Sequence, residues 1–594
     1  MVTIAKMLKI WYNVYNQKYR FSFWQNFKEK IVMNNFKRIL ALLLAVVFIG
    51  ATLVACKKDK TEDNTATDGG NNNSDNGAVE DNTGNNNDST GGSDNGNDSG
   101  NGDDSGNSAP KGTNEYGDIM FDSFVPKENL DFEGTKLGVL IRENKNCYRE
   151  WHKESPEDEL DEAVEMRNAA VGDTLNIEMD YQMVADVGYD DFVANFNQMM
   201  LDDVLNDMHY IDIGANWAYG AAYNEVRDIA SNLNDKDMFP YFNFSLPCWN
   251  QAIVNKTTIN DRLHYVAGDM NLSMFDAAMV IWYNKTLYDA KREDTDPENI
   301  QTHALAGAWT YNDLYTWAAR LYEDSGTEAG SKDPTDTYGL CIHHQDRGNP
   351  NPHDAIPYAW DLEFVITNQD NTHSFNILGN EKAEAALTKY RDLIFANGSC
   401  INLSTSCENF AAGNYVFWTA LIYPNEDDNM TIREMEDTYG LLPWPKYDTD
   451  QENYGTTAQD YYTLMTVLDH SESSIETKGE AVSAYLQLAT EESYTSVRGY
   501  YFNRIVKPKY FGTDDSEGTV TNSIALFDII IANIEFEFWT IYSRQLNDVA
   551  WLWRDGVGKD GSLESIYKAD QASYENAIID TDNWLFNQGA YAPQ

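Results

Sequence analysis

Between residues 134 and 215 the chain switches repeatedly between two hydrophobic periods. Residues 136–142 (KLGVLIR) read as a buried strand, and Leu160, Ala163, Val164 and Val171 then follow helical spacing. Residues 175–181 (LNIEMDY) alternate apolar and polar like a strand, and Phe192, Phe196 and Met199 mark a second amphipathic helix. A third short strand at 210–213 (YIDI) leads into GANWAYGAAYNEVRD. The order strand–helix–strand–helix–strand predicts a parallel, doubly wound sheet, whose ligands sit beyond the carboxyl ends of its strands.

Further along, 278–283 is an apolar strand ending in Tyr283-Asn284-Lys285. Thr310 and Asp313 have capping-box spacing and open a helix with Leu314, Trp317, Ala318 and Leu321 on one face, so Trp317 is expected in the core. A helix at 381–396 is closed by Asn397-Gly398. Residues 439–445 (YGLLPWP) break any helix and predict an extended crossing segment. Residues 463–468 form another strand, and the chain from Lys478 on reads as mainly helical.

The start of the chain has a different pattern. Lys37-Arg38 precedes the apolar run Ile39 to Cys56, ILALLLAVVFIGATLVAC, which is shorter than the roughly 20 residues of a comfortable membrane span. With Leu53 and Ala55 ahead of Cys56, it resembles the signal of bacterial lipoproteins, which implies cleavage after 33–55 and lipidation of Cys56. Residues 1–32 are basic and aromatic and precede a better signal start at Met33, where translation is expected to begin. Residues 56–113 are nearly all Asp, Asn, Gly, Ser and Thr; with nothing to bury, they are expected to be a disordered tether spanning on the order of 40 Å. Its aspartates lack the spacing of a calcium loop.

About 480 residues remain, too many for one core and enough for two or three lobes. The net charge of −52 argues against nucleic acid or an anionic membrane surface as partner. Besides Cys56 there are Cys147, Cys248, Cys341, Cys400 and Cys407, an odd set without a disulfide-scaffold spacing; Cys400 and Cys407 could pair across a short loop, or all five could be thiols. No nucleophile elbow, zinc-protease helix or phosphate loop occurs. His343, His344, Asp346, His353 and Asp354 cluster in sequence, but without helical ligand spacing they read as a polar loop, so neither metal nor cofactor is expected.

The aromatic residues carry the candidate chemistry. Trp151 falls in the loop after the first predicted strand, Asn216 and Trp217 just after the third, and Asp276 at the start of the 278–283 strand. Tyr358 and Trp360 fall in a proline-bounded loop, and Trp418 follows Gly413. Core packing is the default for any single Trp. Several Trp at strand exits, each beside Asn, Asp or Tyr, suit a polyhydroxylated ligand, because an aromatic face covers the C–H face of a sugar ring while polar neighbours meet its hydroxyls.

In order, DAAMVIWYNKTLYDA, AWTYNDLYTWAARL, FAAGNYVFWTA, YGLLPWPKYD and GEAVSAYLQLATEESY resemble the extracellular solute-binding protein family 1, the sugar-type receptors of ABC importers. The likeness runs over residues 134–590. It implies an α/β, two-lobed periplasmic-binding-protein-like fold (type II), each lobe a doubly wound sheet with flanking helices, the lobes joined by a hinge. Lobe 1 is expected from 134–270 and 443–505, lobe 2 from 275–440 and 510–594. By matched position the resemblance places Asn216, Trp217, Asp276, Tyr358, Trp360 and Trp418 in the cleft, with Trp539 in the C-terminal helices as a further candidate. It implies a non-enzymatic, monomeric receptor on the outer face of a Gram-positive cell membrane, with a carbohydrate ligand, most often an oligosaccharide, and ABC permease subunits as partners. The rival readings are an exported glycan hydrolase, which needs two carboxylates roughly 5–9 Å apart, and a glycan-adhesion lipoprotein.

Overall fold

The computed structural model describes residues 112–114, 118–143, 149–185, 211–217, 230–326, 335–342, 352–401, 406–422, 431–459, 462–469, 475–511, 515 and 518–587. The chain divides into two compact units, Met1–Asp103 and Asp104–Gln594, and every described residue belongs to the second. The signal-like run, Cys56 and the Asn/Asp-rich stretch up to residue 111 lie outside the described residues, as does the helix expected around Phe192. Among the described residues no helix is long and apolar enough to cross a membrane.

The strands are β1 (Thr135–Glu143), β2 (Ile177–Ala185), β3 (Ile211–Trp217), β4 (Met279–Asn284), β5 (Tyr338–Ile342) and β6 (Val365–Thr367). They continue with β7 (His373–Phe375), β8 (Cys400–Ile401), β9 (Tyr415–Leu421), β10 (Tyr439–Leu442) and β11 (Thr463–Val467). The helices used below are α1 (Glu159–Leu175), α2 (Tyr311–Arg320), α3 (Ala355–Ala359), α4 (Glu381–Arg391) and α5 (Ile475–Glu492). After them come α6 (Thr519–Ala532), α7 (Phe538–Ile541), α8 (Leu552–Gly558) and α9 (Gln571–Asn587).

The first sheet has the order β11-β3-β1-β2. β1 runs parallel to both β2 and β3, as the alternating periods predict, and β11 adds an antiparallel edge with Thr463 opposite Trp217. The crossover from β1 to β2 is α1, whose ends are both marked in sequence. The Asp158 carboxylate accepts from the N–H groups of Leu160 and Asp161, and Asn176 closes the helix in the left-handed region at φ 53°. The second sheet is mixed, in the order β10-β4-β9-β5-β8, with β10, β4 and β9 antiparallel and β9, β5 and β8 parallel. The capping box expected at Thr310 is present: the Thr310 N–H donates to Asp313 Oδ2 at 2.8 Å, and Trp317 is buried on the inner face of α2.

One apolar cluster packs Leu137, Val139 and Ile141 of β1 against Val482, Tyr485 and Leu486 of α5. A larger one takes Leu140 and Leu464 from the other face of the same sheet and runs without interruption into the second sheet. Among the described residues the stretches through Ala277 and through Thr457 cross side by side between the sheets as a narrow girdle, against which the stretch at Ile534 pairs. The Gln459 N–H donates to Ala277 O at 2.8 Å, the Met279 N–H to Thr457 O at 3.1 Å, and Thr456 pairs in parallel with Ile534. The 439–445 segment, expected only to cross, first pairs with β4 as β10. Helix α5 runs on through two π-helical turns, Ser493–Val497 and Tyr501–Val506; its buried residues lie in the first cluster up to Tyr494 and in the second from Val497. A π turn inserts an extra residue and so bends the helix where it changes partners.

Candidate functional site

Against the girdle, on the side of the second sheet, three separate pieces of chain enclose a narrow cavity of about 20 Å³, room for roughly one water-sized sphere. Asp354, Pro357 and Tyr358 come from the turn at Pro352–Asp354 and from α3. Thr457, Ala458, Gln459 and Tyr462 come from the crossing strand. Trp539, Thr540, Ala550 and Trp553 come from the C-terminal helices. The rings of Tyr358 and Trp539 lie nearly parallel, 5.9 Å apart at 22°, and Phe364 supports the indole at 5.2 Å.

The polar atoms of this wall are placed by bonds that can be traced. Thr540 gives its hydroxyl proton to Glu537 O at 2.8 Å, which leaves Thr540 Oγ1 to accept from Tyr358 Oη at 2.7 Å. Burial pushes the Tyr358 phenol far above its ordinary range, so it stays a neutral donor. Asp354 is held by a two-pronged ion pair: Arg554 Nε donates to Oδ1 at 2.6 Å and Nη2 to Oδ2. The indole nitrogens of Trp539 and Trp553 are buried donors with no acceptor among the described residues. A buried N–H without an acceptor carries a desolvation cost and marks a place where an incoming oxygen is favoured.

Backbone proximity fixes how closely α3 lies on the crossing segment at one point. A Cβ on Gly455 would stand 2.2 Å from Tyr358 O and 2.9 Å from its carbonyl carbon, both backbone atoms that cannot swing aside. Gly455→Ala is therefore expected to push α3 off the crossing strand and lower stability by about 1–3 kcal/mol. The check is the thermal unfolding midpoint.

Of the residues expected in a cleft, the structure brings together Tyr358 and Trp539. Asn216 and Trp217 are not beyond β3 but within it, paired with Leu464 and Thr463, and their side chains lie outside the described residues. Trp151 is fully buried in the first cluster and is absent from the cavity wall. Trp360 is also fully buried, with its indole N–H spent on Pro445 O at 3.1 Å. Trp418 is enclosed in β9 against Phe410. None of these three lines the cavity. Asp276 is buried beside Arg149 and accepts from Tyr501 Oη, and it is absent from the cavity wall.

Trp553, Thr540, Gln459, Tyr462 and Asp354 were not legible as wall residues. Only Trp553, in the aromatic run Trp551-Leu552-Trp553, carried a signal. Asp354 and its neighbour, considered above only as metal ligands, are engaged otherwise: His353 Nδ1 lies 2.8 Å from Tyr390 Oη and Asp354 is paired with Arg554. Residues 343–351 lie outside the described residues, and among the described residues no group of His, Cys, Asp and Glu could hold a metal. Cys400 and Cys407 are buried thiols and form no disulfide.

No protein-family model matches the chain, and no curated protein matches it. Among solved structures the chain is similar to the sugar-binding protein MalE from Xanthomonas citri, at 13% identity over 76% of this chain and 99% of that one, with a TM-score of 0.49. It is similar to the cyclic alpha-maltosyl-1,6-maltose binding protein from Arthrobacter globiformis, at 13% identity over 75% and 100% of the two chains, with a TM-score of 0.46. It is likewise similar to an ABC substrate-binding protein from Listeria monocytogenes solved with cycloalternan, at 11% identity over 76% and 99%, with a TM-score of 0.45.

Proposed function

We propose that this protein is a non-enzymatic receptor that captures a carbohydrate between its two sheets and hands it to an ABC permease. The observation that carries the reading is the cavity wall itself. It combines a parallel Tyr358–Trp539 pair, two indole N–H donors without acceptors, and a carboxylate fixed by Arg554. Stacked rings suit the apolar face of a pyranose, and fixed donors and acceptors suit its hydroxyls. As it stands the cavity is too small for a sugar ring, so capture needs the two sheets to move about the girdle and the bent α5. A ligand that touches both sides stabilises the closed arrangement by its differential contacts.

The same proposal includes a lipid at Cys56, the outer face of a Gram-positive membrane as location, a monomeric state and an oligosaccharide as the carried sugar. A tether of the 56–113 length keeps the receptor concentrated near the permease.

A thermal-shift screen over mono- and oligosaccharides tests the reading. The expected result is a raised midpoint with one short saccharide and no product on prolonged incubation. Turnover of the sugar would replace the receptor by a glycan hydrolase. Binding of polymer alone would favour an adhesion protein, and no shift with any sugar would remove carbohydrate as the ligand class.

A further inference from the structure

Behind the Trp539 wall lies a buried pair that the carbohydrate reading does not use. The Asp582 carboxylate of α9 grips His373 of β7 twice: the His373 backbone N–H donates to Oδ2 at 2.7 Å, and Nδ1 stands 2.6 Å from Oδ1. A carboxylate facing two donors can only accept, so the imidazole proton sits on Nδ1. Both side chains are almost fully enclosed. The other side of the imidazole lies flat on Phe538, with centroids 3.9 Å apart and 7° between the planes. Phe538 is the residue before Trp539, in the same four-residue helix.

That helix cannot hold its own orientation. One helical turn is below the length at which a helix is stable alone, so α7 depends on what its side chains touch. Successive residues point about 100° apart, which sends Phe538 toward His373 while Trp539 faces Tyr358 and Thr540 bonds the Tyr358 hydroxyl. Fixing the Phe538 ring therefore fixes the backbone from which the Trp539 indole projects. The clamp also joins α9 to this point, and the same helix is held two residues on by Trp584, whose ring packs 5.2 Å from His264.

We infer that His373 and Asp582 are positioning residues for the ligand-stacking indole of Trp539, acting through Phe538 as a clamp between β7, α7 and α9. The inference rests on the carbohydrate reading for its purpose, but the position of the indole can be measured without any sugar. In full-length protein labelled with ¹⁵N-tryptophan, the Trp539 indole N–H resonance is the one lost in Trp539→Phe. Asp582→Ala is expected to shift or broaden that resonance and to lower affinity for maltotriose roughly tenfold, the low end of what a single hydrogen bond to a charged group contributes. Ile578→Ala, buried on the same helix, is the control for a loss that is merely structural. It is expected to lower the unfolding midpoint and leave the Trp539 resonance in place. Where Asp582→Ala does not fold, Asp582→Asn keeps one of the two bonds and is expected to give a smaller change in the same direction. A Trp539 resonance that stays put in the folded Asp582 variant, or that moves equally in Ile578→Ala, overturns the clamp. Failure of wild-type protein to bind maltotriose counts against that sugar alone, since the indole signal decides the clamp independently.

Discussion

Replacing Trp539 by alanine is expected to weaken saccharide binding roughly 30- to 150-fold, about 2–3 kcal/mol, the loss typical of an aromatic anchor at the centre of a binding surface. The indole supplies two things at once: a face parallel to Tyr358, and an N–H with no acceptor among the described residues. Trp539→Phe separates them, since the phenyl ring keeps the stack and removes the donor; it is expected to cost about 1 kcal/mol, near fivefold. Because Trp539 is buried against Phe364, the alanine variant also leaves a hole and will unfold at lower temperature. Calorimetric titration well below the unfolding midpoint keeps the two losses apart. Equal affinity in wild type and Trp539→Ala would move the ligand away from this cavity. By contrast, Trp418→Ala is expected to show a stability loss with little change in affinity, because its ring packs in β9 and does not line the cavity.

The contrast between these two tryptophans shows which parts of the molecule are written locally. The strands β1, β2 and β3 and the helix α1 are legible because their apolar periods and caps, Asp158 and Asn176, lie within a few residues of the feature they determine. The Thr310–Asp313 cap is legible for the same reason. A site is different, because its wall is assembled from segments far apart in the chain. The ion pair that fixes Asp354 reaches Arg554, 200 residues away, and nothing near either residue announces the other. Trp360 follows Tyr358 by two residues and caps the same short helix, yet one ring meets the cavity and the other seals onto Pro445, a partner supplied by the 439–445 segment. Composition around a tryptophan tells what it could bind and not which way it faces.

The second large effect concerns three acidic groups buried around the girdle. Glu150 accepts from the Ser273 N–H at 2.7 Å, and burial pushes it up to about 8 against that hydrogen bond. Burial raises Asp276 to about 7 against the pull of Arg149, and Asp269 to about 7 against Arg498. In the unfolded chain these groups ionise near 4, so between about pH 4 and 8 the folded protein holds protons that the unfolded chain has released. Stability therefore falls as pH rises through that window and levels off above it. His264, which burial depresses to about 4, works in the opposite sense up to about 6.5, where its unfolded form has lost its proton. Above 6.5 the carboxyl groups act unopposed by it, and the drop from pH 6.5 to 9 is expected to be about 3 kcal/mol, more than half of it from Glu150. Denaturant unfolding at the two pH values measures it. Glu150→Gln mimics the protonated acid in shape and hydrogen bonding, so it should flatten most of the slope, and adding Asp276→Asn should flatten it further while Tyr501 keeps its acceptor. An unchanged slope in the double variant would show that these side chains ionise in the folded protein much as they do in water.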